Sequence, residues 1–122
     1  MKLTIKEQAR INEIKNLFDR SCRVDMNTHN FSGVDKVHSE RVSTICHALY
    51  YDIKTPFFTE SKFYNGYRPD ILCPLYLNGT IIEVRNTETE KQSKEKIVPP
   101  ELRKFTVIYS DCDKPFKLRD IQ

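Results

Sequence analysis

The sequence predicts an α/β fold: a mixed β-sheet, built from an antiparallel meander plus one crossover strand, flanked by helices. Three observations carry this expectation. Two Asn-Gly turns, Asn65-Gly66 and Asn78-Gly79, separate apolar stretches and mark a meander, because both residue types tolerate positive φ. Two stretches with helical apolar spacing come before it. After it, a charged stretch and Pro99-Pro100 lead into a last apolar run at 105–109. The order helix, helix, strand, strand, strand, helix, strand packs as a sheet covered by helices.

Each element has its own justification. Residues 4–20 set Ile5, Ala9, Ile14, Leu17 and Phe18 on one helical stripe, a face suited to covering the sheet or a partner subunit. Residues 21–35 are rich in Ser, Asn and Asp and read as a loop. Arg20, Arg23 and Lys36 flank it; solvation of the loop is enough to explain them, although they are also placed to touch phosphates. A second helix is expected over 36–52, with Val42, Ile45, Cys46, Leu49 and Tyr50 facing the core. Glu40 and His47 fall on its opposite side and His38 on the edge of the stripe, where a structural histidine is the plain reading. Pro56 ends the helix, and 57–64 reads as a strand rich in aromatic residues.

The stretch 68–85 is the centre of the chain. Pro69 stands at a strand start, where a sheet tolerates it. Ile71, Cys73, Leu75 and Leu77 point one way, and Ile82 and Val84 repeat the pattern on the return strand. Asp70, Glu83 and Arg85 are left on the other face. Residues 86–96, highly charged, read as a short exposed helix. Residues 105–109 read as a buried strand, and the tail, with Lys114, Lys117 and Arg119, as surface.

At 122 residues the chain is long enough for one domain: an N-terminal helix and loop (1–35), a core (36–110) and a tail (111–122). A 39% hydrophobic and 30% charged composition fits a soluble protein, and no apolar run reaches the length of a membrane span. The N-terminus turns charged at once, so no secretory signal and a cytoplasmic location are expected. A net charge of +3 permits nucleic-acid binding without arguing for it. The four cysteines form no CxxC pair, so a zinc site drawn from Cys22, His29, His38 or His47 is not favoured; Cys46 and Cys73 fit buried, reduced thiols.

An acid that opens one strand, followed by an acid and a cation two apart on the next, is unusual in a sheet. Buried carboxylates need partners, and a divalent metal satisfies two at once. With its element order, the hairpin resembles the restriction-endonuclease-like superfamily, the PD-(D/E)xK nucleases, and within it small archaeal Holliday-junction-resolvase-like and archaeal virus nucleases. The resemblance covers residues 36–110. It implies a restriction-endonuclease-like core and a metal-dependent DNA endonuclease acting on branched or structured DNA, in the host cytoplasm if virus-encoded. Asp70 and Glu83 match the family's metal-binding acids, Glu40 the further acid on the preceding helix, and Arg85 the position of its usual lysine. Mg²⁺ or Mn²⁺ is the implied cofactor and DNA the implied partner. A homodimer is compatible with the first helix, and no membrane partner is expected.

Two features keep a second reading open. Arginine is a poor base, and its planar fork prefers carboxylate or phosphate oxygens. A tight two-residue turn at Asn78-Gly79 would pair Leu77 with Thr80, setting Asp70 opposite Thr87 and Glu83 opposite Pro74. The two acids would then lie too far apart to share one ion. A bulge near Pro74 or a wider loop at 76–80 would reunite them; otherwise Glu88 is the reserve ligand. The alternative functions are a catalytically inactive nuclease-fold DNA-binding or assembly module, and an interaction protein whose first helix docks a partner.

Overall fold

The computed structural model describes residues 2–19, 36–85 and 97–122. Its elements are α1 (Ile5–Lys15), α2 (Lys36–Ala48), β1 (Phe58–Thr59), β2 (Ile71–Cys73), β3 (Thr80–Arg85) and β4 (Thr106–Asp111). The four strands form one sheet in the order β1-β2-β3-β4; β1, β2 and β3 pair antiparallel, and β3 pairs with β4 in parallel. The α/β class with a mixed sheet is therefore as expected. The helix expected over 86–96 lies outside the described residues.

Thr4 starts α1 with a reciprocal cap: its hydroxyl accepts the Glu7 N–H at 3.1 Å, and the Glu7 carboxylate accepts the Thr4 N–H at 2.9 Å. The buried stripe of α1 is Ile11, Ile14 and, just beyond, Phe18, whereas Ile5 and Ala9 are exposed. Phe18 packs edge-to-face on Phe58 and Phe63. With Leu72, Ile81, Leu102 and Phe105 they form the apolar cluster on one face of the sheet. Helix α1 thus covers the sheet.

Val42, Ile45, Cys46 and Leu49 of the second helical stretch bury against Ile71, Cys73, Ile82 and Val84 on the opposite face. Ile71 and Cys73 alternate with Leu72, as the two-residue period of a strand requires. After Ala48 the helix widens into a π-type turn, Leu49–Ile53, and stops at Lys54 (φ 61°) before Pro56. Tyr50, expected in the core, is exposed. The tail is more than surface: Ile121 is fully buried in the α2-side cluster, and Phe116 and Leu118 pack against it.

Three expectations are corrected. The strand over 57–64 is only β1, because Glu60 takes a positive φ of 52° that breaks the extended run. The last strand is not buried. Among the described residues it is an edge strand, and Val107 and Tyr109, two apart and so on one face of the sheet, are exposed there. The β2–β3 connection is not a two-residue turn. A 3₁₀ turn at Tyr76–Asn78 comes first, in which Leu77 and Asn78 have φ of 51° and 64°, followed by Gly79 at 114°. Leu77 consequently projects into solvent instead of continuing the apolar row.

Candidate active site

The wider loop decides the register. Cys73 pairs with Thr80, Leu72 with Ile81 and Ile71 with Ile82. Continued one step further along both strands, this register sets Asp70 opposite Glu83. The four-residue separation implied by a tight turn does not occur. Gly79 secures this geometry: its φ of 114° suits glycine, and a Cβ there would lie 2.7 Å from the Phe105 ring.

Both acids are buried, Asp70 at 8% and Glu83 at 4% exposure. Buried carboxylates must be satisfied, and each is. Asp70 Oδ2 accepts the Val84 N–H at 2.8 Å, so the side chain takes over a backbone donor of β3 where β2 has begun to diverge. Its Oδ1 lies 3.2 Å from His38 Nε2. Glu83 Oε1 accepts the Tyr67 hydroxyl at 3.2 Å. Burial first, and then the negative charge of Glu83, raise the Tyr67 phenol well above its ordinary pKa, so it stays a donor.

The helix expected to deliver an acid delivers a histidine instead. Glu40 has its side chain 67% exposed and stands 3.9 Å from Lys36 Nζ, away from the acid pair. The cause is helical geometry. Residues two apart on a helix point about 200° away from each other, so only one of His38 and Glu40 can face the sheet. His38, Val42, Ile45 and Leu49 follow the i, i+4, i+7, i+11 spacing of the buried stripe, a signal already in the sequence.

Arg85 is directed away from Asp70. Its Nε donates to Asp111 Oδ1 at 3.0 Å, across the parallel pairing of Arg85 with Asp111, and its guanidinium lies 4.3 Å from the centre of the Tyr109 ring. Tyr109 is in turn the register partner of Glu83. Glu88, the reserve ligand, together with Cys22 and His29, falls outside the described residues.

Two hard carboxylate oxygen donors suit Mg²⁺, which takes one or two protein carboxylates and completes its shell with water and phosphate. Among the described residues no group of three His, Cys, Asp or Glu side chains is arranged to hold a metal ion. Cys46 and Cys73 are buried, and burial pushes the Cys46 thiol up to about 12 and the Cys73 thiol still higher. No helix among the described residues is long and apolar enough to cross a membrane. No family model, curated protein or solved structure matches the chain.

Proposed function

We propose that this protein hydrolyses phosphodiester bonds in DNA with a divalent cation held by Asp70 and Glu83. The observation that supports the reading is the β2–β3 register, which, continued one step past Ile71 and Ile82, aligns two buried acids, Asp70 and Glu83, across the strand boundary. A bound Mg²⁺ or Mn²⁺ would supply a hydroxide at neutral pH and offset charge on the phosphate. The chain's part is preorganisation: Val84 N–H and His38 fix the Asp70 carboxylate, and the Tyr67 hydroxyl fixes that of Glu83. Arg85, clamped between Asp111 and Tyr109, is a cation of fixed position one residue beyond Val84, suited to holding a phosphate oxygen.

The second reading is a nuclease-fold DNA-binding module without catalysis. The contacts around Asp70 favour it, because a backbone N–H and an imidazole already occupy the carboxylate, and Asp111 neutralises Arg85. The deciding experiment is cleavage of labelled four-way junction, duplex and single-stranded DNA with Mg²⁺ or Mn²⁺, beside the Asp70→Asn variant. Metal-dependent cutting that disappears in the variant supports hydrolysis. No cutting by either protein, with salt-sensitive DNA binding intact in both, supports the silent module.

A further inference from the structure

Beyond β4 the tail packs back on the domain and borders an open cavity of about 480 Å³. Four cations, Arg41, Lys114, Lys117 and Arg119, line it against two carboxylates, Asp111 and Asp120, leaving two positive charges in excess. Asp111 is already shared between Arg85 at 3.0 Å and Lys114 at 3.9 Å, and Asp120 Oδ2 accepts the Lys117 backbone N–H at 2.9 Å. Arg41, from α2, reaches the cavity half-buried and spends its donors on neutral acceptors: the Ser110 hydroxyl and the Asp111 carbonyl, both at 2.9 Å, and the Lys114 carbonyl. Among the described residues no carboxylate stands within ion-pair distance of Arg41, Lys117 or Arg119. A concave surface with unneutralised cations focuses positive potential and draws anions.

The cavity also has an aromatic wall. Tyr109 lines it; the Arg85 guanidinium lies over one side of its ring at 4.3 Å, the residue is still 47% exposed, and it is the register partner of Glu83 on the neighbouring strand. The cavity therefore begins one strand away from the acid pair. Cations that track phosphates beside an exposed aromatic ring are the elements of a single-strand binding groove, because a base can stack only where it is not already stacked in a duplex.

We propose that this cavity binds single-stranded nucleic acid, with Lys117 and Arg119 on successive phosphates and Tyr109 as the stacking surface for a base. The inference rests on the nucleic-acid part of the reading above and is independent of the metal. The test is fluorescence anisotropy of a labelled oligothymidine of about 16 nucleotides in EDTA, over a salt series. Its parent is the full chain carrying Asp70→Asn, so that no cleavage enters the reading. Adding Lys117→Ala with Arg119→Ala should weaken binding about tenfold and flatten the log Kd against log salt slope by about 1.4, the value for two lost single-strand phosphate contacts. Adding Tyr109→Leu should weaken binding about tenfold while leaving that slope unchanged. Replacing Lys6 and Lys15 of α1 by Ala serves as the control and should change neither. Circular dichroism confirms that each variant is folded.

An unchanged affinity and slope in the Lys117/Arg119 variant overturns the proposal, as does a parent that binds no oligonucleotide. Tighter binding of a duplex of the same sequence overturns the single-strand assignment. The two proposals fail separately. Wild-type cleavage with an insensitive cavity removes the cavity and leaves hydrolysis standing, whereas a sensitive cavity without wild-type cleavage does the reverse.

Discussion

The acid pair at the β2–β3 boundary and the cations beyond β4 are charged clusters only one strand apart, yet they are built on opposite terms. Asp70 and Glu83 are buried, and contacts to Val84, His38 and Tyr67 hold their carboxylates in place. Lys117 and Arg119 are exposed and have no acid partner among the described residues. The difference is one of solvation. A buried carboxylate without partners loses several kcal/mol of hydration, so the fold must supply contacts; an exposed cation keeps its water and can wait for a ligand. One region is therefore tied into the stability of the fold, and the other is free to be altered.

The largest expected effect tests that dependence. Asp70→Ala removes the acceptor of the buried Val84 N–H and the neighbour of the His38 ring and should destabilise the fold by about 3 kcal/mol in urea unfolding, the upper end of the range for a buried donor left unsatisfied. Asp70→Asn keeps an acceptor for Val84 and should cost about 1–2 kcal/mol. Equal, small losses in both would mean that the carboxylate contacts do not hold the boundary together. Next comes Gly79→Ala, which touches neither acid. Positive φ and the clash with Phe105 should cost about 2 kcal/mol and, by disturbing the register, lower cleavage more than stability alone accounts for.

Alkaline pH gives an intermediate effect with a definite sign. The Cys46 thiol and the Tyr67 phenol both have folded-state pKa values raised above their ordinary 9.0 and 10.0. Their neutral forms therefore favour the folded state. This contribution is complete below pH 9.0 and falls away as pH rises, through about 12 for Cys46 and beyond 10.0 for Tyr67. These two groups add no pH dependence to the urea midpoint below pH 9.0 and should lower it above that pH, and Tyr67→Phe should remove part of the decline. A midpoint that rises with pH would reverse the assignment. The smallest effects belong to the open region and to the misplaced acid. Lys117→Ala, Arg119→Ala and Glu40→Gln should each change stability by less than about 0.5 kcal/mol, and Glu40→Gln should leave cleavage intact.

Periodicity made the sheet legible. Alternation assigned Ile71, Cys73, Ile82 and Val84 to one face, and the Val42, Ile45, Cys46, Leu49 spacing gave α2 its buried side. Conformation at single residues did not show in the sequence. Nothing in Tyr76-Leu77-Asn78 says that Leu77 adopts positive φ, yet that residue helps turn a tight hairpin into the wider loop that moves Asp70 from Thr87 to Glu83. Edge position was equally hidden, because Val107 and Ile108 are apolar whether or not a layer covers them. His38 was legible as a histidine at the edge of the apolar stripe, and it is buried there, 3.2 Å from Asp70; the spacing alone did not name that neighbour. The cationic cavity needed the fold-back of the tail, driven by burial of Ile121, before Lys117 and Arg119 could meet Arg41.

The central claim is that Asp70 and Glu83, brought together by the β2–β3 register, hold a divalent cation. A calorimetric titration of Mn²⁺ into the wild-type chain, Asp70→Asn, Glu83→Gln and Glu40→Gln tests it without any nucleic acid. The account predicts one saturable site in the wild type and in Glu40→Gln, lost in the other two variants. No Mn²⁺ binding by the wild type, or binding that both carboxylate variants retain, would contradict it.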